Sequence, residues 1–180
     1  MEFQQSKTYS NLQKAYERDL MISTLYSIYS NTARTEQFIE ISNLYETYTR
    51  NVREHARIFL RQLNNGTLPD TMQNLLTSSE IALQTADLFR EYADTALTEG
   101  FTDLSALFSG IANIELNHNL ALSLQYGNMV RDEVFCKPAD TLWICQQCGN
   151  IMGGRCAPNI CPVCGFPQGY YRVYDEACTE

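Results

Sequence analysis

An all-α four-helix bundle followed by a small metal ribbon of short strands and turns is the fold this 180-residue sequence predicts. Three observations predict it. Four long segments carry apolar residues at spacings of three and four, the signature of one-faced helices. Proline and glycine usage shifts abruptly: Pro69 is the one proline before residue 136, whereas the last 45 residues hold four prolines and five glycines. That same tail contains two CxxC pairs, Cys145/Cys148 and Cys161/Cys164. The boundary falls near Cys136-Lys137-Pro138, which gives a helical bundle over 1–135 and a four-cysteine domain over 136–180.

The helical elements follow in order. The first is expected from about Thr8 to Ser30, with Leu12, Ala15, Ile22 and Tyr26 on its apolar stripe. The second runs from about Thr35 to Leu63, carries Ile41, Tyr45, Tyr48, Ile58 and Phe59, and stops at Asn64-Asn65-Gly66. Pro69-Asp70 opens the third, with Leu76, Leu83 and Ala86, which ends at Glu99-Gly100. Thr102 reads as the N-cap of the fourth, with Leu104, Phe108, Ile111 and Leu122, ending near Gly127-Asn128 or a turn beyond. Gly110, inside that helix, is expected to permit close packing against a neighbour. Four helices with one apolar face each bury those faces together.

Composition narrows the function classes. A net charge of -8 disfavours nucleic acid and anionic membranes, both of which select a basic face. No run of about 18 apolar residues is present, and MEFQQSKTYS has no apolar core of a secretion signal, so a cytoplasmic protein is expected. All seven cysteines lie between 136 and 178. An odd number without an export signal points to thiolate ligands in a reducing compartment rather than a disulfide framework. Cys136, Cys156 and Cys178 are left as packing or surface thiols.

The two CxxC pairs are the strongest chemical signal. Each places two thiolates on a tight knuckle whose backbone amides point at the sulfurs, and Gly149 and Gly165 supply the positive φ such a turn requires. Four thiolates form a soft tetrahedral site for iron or zinc. Trp143, Phe166, Tyr170, Tyr171 and Tyr174 supply apolar cover beside it.

A second, more dispersed set of ligand-type residues lies on the helices. His55 falls on the stripe of Tyr48, Val52 and Phe59. Glu115 and His118 form an ExxH pair on one face with Phe108, Ile111 and Leu122. Asp19 lies between Ala15 and Ile22, and Glu80 between Leu76 and Leu83. Carboxylates on an apolar face are costly unless paired or metal-bound, and five such groups converging are best satisfied around a cation.

These features resemble the rubrerythrin family: a ferritin-like four-helix di-iron bundle followed by a rubredoxin-like four-cysteine domain. The resemblance rests on Lys7-Thr8 with Asn11-Leu12, Glu54-His55-Ala56 with Phe59, Glu99-Gly100-Phe101, the Glu115–His118 pair, and the ribbon from Trp143 to Cys164. It implies peroxide reduction at the bundle, with electrons arriving through the four-cysteine iron from a redox partner protein, and a homodimer that is head-to-tail or helix-swapped. The chain departs from the family pattern at three positions. Asp19 stands in place of the first glutamate, Val52 in place of the glutamate of the second-helix ExxH, and Leu83 in place of the second glutamate of the third helix. What remains is Asp19, His55, Glu80, Glu115 and His118, so a single iron or other divalent metal is expected in the bundle rather than two. Two alternatives stand beside this: a non-enzymatic descendant with structural zinc in the ribbon, and a mononuclear metal enzyme acting on another substrate.

Overall fold

The computed structural model describes residues 2–175. Its elements are four long helices, α1 (Lys7–Thr35), α2 (Ile39–Leu63), α3 (Thr71–Thr98) and α4 (Thr102–Val130), followed by strands β1 (Cys136–Cys145), β2 (Ile151–Cys156) and β3 (Tyr171–Val173). No helix among the described residues is long and apolar enough to cross a membrane. The fold class expected from the sequence is thus present, four helices and then a small strand region. The chain divides into two compact units, Met1–Pro69 and Asp70–Glu180.

In the first unit α1 and α2 form an antiparallel hairpin. Ser6 caps α1, its hydroxyl accepting from the Tyr9 amide at 3.1 Å. The residues buried along the hairpin are small: Ser23, Ser30 and Ala33 on α1, Ser42, Thr49 and Ala56 on α2. Ser30 and Ser42 share a buried hydrogen bond, 3.0 Å between hydroxyls. Small side chains let two backbones approach closely, and the paired hydroxyls satisfy each other. Tyr26 packs against Tyr45 and Tyr48 at ring separations of 5.7 and 6.3 Å.

The second unit opens with another hairpin. Asp70 caps α3 by accepting from the Gln73 amide at 2.8 Å. Ala82, Ala86, Ala93 and Ala96 of α3 and Ala112 of α4 are buried. Phe108 of α4 packs near Phe89 and Tyr92 of α3 at 6.0 and 5.7 Å. The two hairpins turn in the same way. In each, the Phe after the turn donates its amide to an alanine carbonyl five residues back, Phe38 to Ala33 and Phe101 to Ala96, both at 2.8 Å. The residue between adopts positive φ, 67° at Gln37 and 88° at Gly100. This is the helix stop in which a left-handed residue lets two orphan carbonyls find amides.

Two helix limits differ from expectation. α1 runs five residues beyond Ser30, and α2 starts at Ile39 rather than Thr35. No glycine or proline marks that turn, because Gln37 takes the left-handed conformation. Thr102 is the first residue of α4 rather than its cap; Phe101 occupies the cap position, with no side-chain hydrogen bond. Gly110 is exposed, and a β-carbon there would meet nothing within 4 Å, so it makes no close approach in this chain.

The ribbon is a three-stranded antiparallel sheet of order β2-β1-β3. Trp143 lies opposite Met152 on one side and Val173 on the other. The ribbon's core is Trp143, Cys145, Ala157, Cys161 and Tyr171, with Phe135 and Cys164 packed against it. The Trp143 indole donates to the Gly154 carbonyl at 3.0 Å, which satisfies its one polar atom.

Candidate metal centre

The two CxxC segments build matching knuckles. In the first, the Gly149 amide donates to the Cys145 carbonyl at 2.8 Å and the Cys145 amide to the Asn150 carbonyl at 2.9 Å. In the second, Gly165 donates to Cys161 at 2.9 Å and Cys161 to Phe166 at 2.8 Å. Gly149 and Gly165 take φ of 77° and 73°, as the sequence requires. Neither is crowded, so backbone conformation rather than space selects glycine there.

The knuckles bring the four sulfurs together, all within 4.8 Å of one another. Cys145 lies 3.7 Å from Cys164, and Cys148 3.6 Å from Cys161. A tetrahedron with metal–sulfur bonds of about 2.3 Å has edges of about 3.8 Å, so the pocket already fits one ion of that kind. Amides also face the sulfurs: Asn150 donates to Cys148, Val163 and Cys164 to Cys161, and Phe166 to Cys164. Donors aimed at sulfur favour the thiolate that a soft metal needs.

Electrostatics divides the set. The approach of the Tyr171 hydroxyl, more than any other influence, draws the Cys161 thiol down to about 6. That hydroxyl is buried and makes no hydrogen bond of good geometry to any group, Cys161 included, so it acts on the thiol by proximity. Cys164 behaves oppositely: its largest influence, the Phe166 amide, lowers it, but burial and the three neighbouring thiols together push it up to about 12. Cys148 also rises: the Asn150 amide, its largest influence, and the Cys164 thiol lower it, but burial and the Cys161 and Cys145 thiols outweigh them. Four thiols packed together cannot all ionise without a cation among them, and a divalent ion removes that conflict. Within each unit, among the described residues, these cysteines are the one group of three or more ligand-type side chains gathered this closely.

The helical candidates fall in pairs. In the first unit Asp19 Oδ2 approaches His55 Nδ1 at 3.7 Å, the carboxylate mostly buried and the imidazole more than half exposed. In the second, Glu115 Oε2 lies 3.4 Å from His118 Nδ1, with the same division of exposure. Glu80 is exposed on α3, one residue after buried Ser79. Val52 is half-buried and Leu83 exposed.

One feature escaped the sequence. Cys136 and Cys156, expected as packing or surface thiols, are joined by a disulfide with an Sγ–Sγ distance of 2.17 Å. The reason is register: β1 and β2 run antiparallel and place the two directly opposite. Both ends of a ribbon hairpin carrying cysteine is the signal that could have found it. Cys178 lies outside the described residues.

Comparison with known proteins agrees with this geometry. The family profile "Rubrerythrin, rubredoxin-like domain" matches residues 143–172, the segment that holds all four ligand cysteines. Rubrerythrin-1 of Clostridium acetobutylicum is 33% identical, over 95% of this chain and 96% of its own. A rubrerythrin of Clostridium perfringens gives the same identity and coverage. A rubrerythrin of Nitratidesulfovibrio vulgaris is 25% identical over 93% of this chain and 94% of its own.

Proposed function

Because the chain belongs to the rubrerythrin family, we propose that this non-haem iron protein, of the peroxide-reducing and electron-transferring kind, pairs a four-sulfur iron in the ribbon with an altered, single-metal site on the helices. The observation that carries the reading is the contrast between two donor sets: four sulfurs spaced for one soft ion, and Asp19–His55 and Glu115–His118 pairs that mix carboxylate with imidazole. Oxygen and nitrogen donors suit ferrous iron and other divalent ions.

Charge supports a single ion on the helices. Asp19, Glu80 and Glu115 offer three negative charges, whereas two divalent ions bring four positive ones. Val52 and Leu83 add no donor atom where the family's pattern has carboxylates. When loaded, the four-sulfur iron supplies one electron at a time. The chain's own residues do the rest. Asp19 with His55 and Glu115 with His118 each put a carboxylate oxygen and an imidazole nitrogen within 3.7 and 3.4 Å, so each pair would offer a mixed oxygen and nitrogen donor set to a divalent ion. Reducing peroxide to two waters consumes two electrons and two protons, and one iron held in each site would account for both electrons.

The exposed large apolar residues of the helices, among them Leu20, Ile28 and Leu44 in the first unit and Leu97, Leu107 and Leu120 in the second, are the surface a homodimer buries, head-to-tail or helix-swapped. Metal counting with optical and electron-spin spectra tests the reading. Iron in both environments, with peroxide consumed faster than by a Glu115→Ala/His118→Ala variant, supports it. One ion per chain, all in the ribbon, contradicts it.

A second reading has its own observation. Val52 and Leu83 carry no donor atom where the family's pattern has carboxylates, which fits helices that no longer hold ions and leaves a non-enzymatic protein with structural zinc in the ribbon. Colour separates the two: a red protein with thiolate–iron absorption supports electron transfer, and a colourless one supports zinc.

A further inference from the structure

The Cys136–Cys156 disulfide takes no part in the metal site, and four facts define its place. It lies at the outer end of the β1–β2 ladder, where Cys136 faces Cys156. The ladder is interrupted just inside it: β1 takes five steps from Cys136 to Thr141 while β2 takes two from Cys156 to Gly154. Cys156 is exposed and Cys136 half-buried. The ribbon's core of Trp143, Cys145, Ala157, Cys161 and Tyr171 includes neither.

A buried staple inside a continuous ladder would be inert. This bond sits where the strands already part, and opening it disturbs only the end of the sheet. The two backbones are also tied beside the bond, because the Ala157 amide donates to the Phe135 carbonyl at 2.8 Å. The partner sulfur is therefore kept opposite after reduction, ready to close again.

We propose that Cys136 and Cys156 form a reversible dithiol–disulfide site that reacts with hydrogen peroxide independently of the metals. One thiolate attacks a peroxide oxygen, the O–O bond breaks, water leaves after protonation, and a sulfenic acid forms. The second thiol displaces water from that sulfenic acid and the S–S bond closes. In sum, two thiols and one peroxide give one disulfide and two waters, with two electrons passing from sulfur to oxygen. An external dithiol restores the pair by exchange. The proposal goes beyond the metal-based reading and does not depend on it.

The test uses the full-length, metal-loaded chain in a Cys178→Ser background. The protein is reduced with a phosphine, freed of reductant, exposed to excess hydrogen peroxide and alkylated, and its peptides are weighed. The expected result is that Cys136 and Cys156 both alkylate after reduction. After peroxide they appear as one cross-linked species lighter by two hydrogens, while the thiolate–metal absorption stays constant. In a Cys156→Ser variant, peroxide should leave Cys136 as a sulfenic acid captured by dimedone. Two results would overturn the proposal: a bond that the phosphine does not open in the folded chain, which marks a fixed staple, or a reduced pair that survives excess peroxide as free thiols.

Discussion

The ribbon and the helical hairpins bury opposite kinds of residue. In the ribbon the largest side chain, Trp143, is among the most buried, at 1% exposure, beside Cys145, Cys161 and Tyr171. Along the hairpins the buried residues are Ala, Ser, Thr and one Asn, whereas Leu97, Leu107, Leu120 and Leu124 stand out in solvent. The ribbon completes its site within one short stretch of chain. The helices supply close-packed backbones and leave their large apolar residues for other surfaces. A metal site made by two adjacent knuckles needs only local folding; one assembled from several helices depends on how those helices are brought together.

The largest effect that would sharpen this contrast is metal removal. Stripping the ribbon with a chelator, or replacing Cys161 with Ser, should abolish its ordered near-ultraviolet signal while helical circular dichroism persists, since so few residues need the ion to stay folded. Persistence of the Trp143 signal without metal would break the comparison. Next, Trp143→Ala should cost the ribbon about 3–5 kcal/mol, read as easier metal loss in denaturant, with the thermal unfolding of the helices unchanged. Third, Val52→Glu/Leu83→Glu restores two carboxylates to the helices and should raise the metal bound per chain, measured by elemental analysis.

Acidity offers a smaller effect. The Cys161 thiol ionises at about 6 in the metal-free ribbon, so above that pH its proton has already left before metal enters. Below it, one more proton must be displaced for each ion. Affinity therefore falls as pH drops, and the slope of its logarithm against pH should steepen by one proton below about pH 6. Tyr171→Phe removes the main cause of the lowered value, so the break should move upward; competition titrations over a pH series measure it. The smallest effect concerns the α1–α2 turn. Gln37→Gly should stabilise the hairpin by about 0.5–1 kcal/mol, because a left-handed non-glycine residue is strained and glycine's extra entropy offsets only part of that. Chemical denaturation reads the change.

The same contrast explains what was legible in the sequence. CxxC spacing and the glycines after each pair specify a local structure almost completely, and Cys145, Cys148, Cys161 and Cys164 meet as their spacing demands. Helix number and order were equally readable from apolar spacing and from the stops at Gly66 and Gly100. The start of α2 was not, because Gln37 does by tertiary context what Gly100 does by covalent nature. A signal was nonetheless present: Thr35-Glu36-Gln37-Phe38 repeats Thr98-Glu99-Gly100-Phe101, and the two segments turn alike. The Cys136–Cys156 bond was illegible for another reason. It depends on strand register across an irregular ladder, which residue counts alone do not fix.

The claim on which the rest depends is that the chain holds two chemically distinct metal environments. Iron loading followed by elemental analysis of three proteins tests it directly: the unaltered chain, a Cys145→Ser/Cys161→Ser variant, and a Glu115→Ala/His118→Ala variant. Two irons in the first and one in each of the others, with thiolate absorption lost in the cysteine variant alone, is the predicted result. One iron in the unaltered chain, unchanged by the helix substitutions and eliminated by the cysteine substitutions, would contradict it.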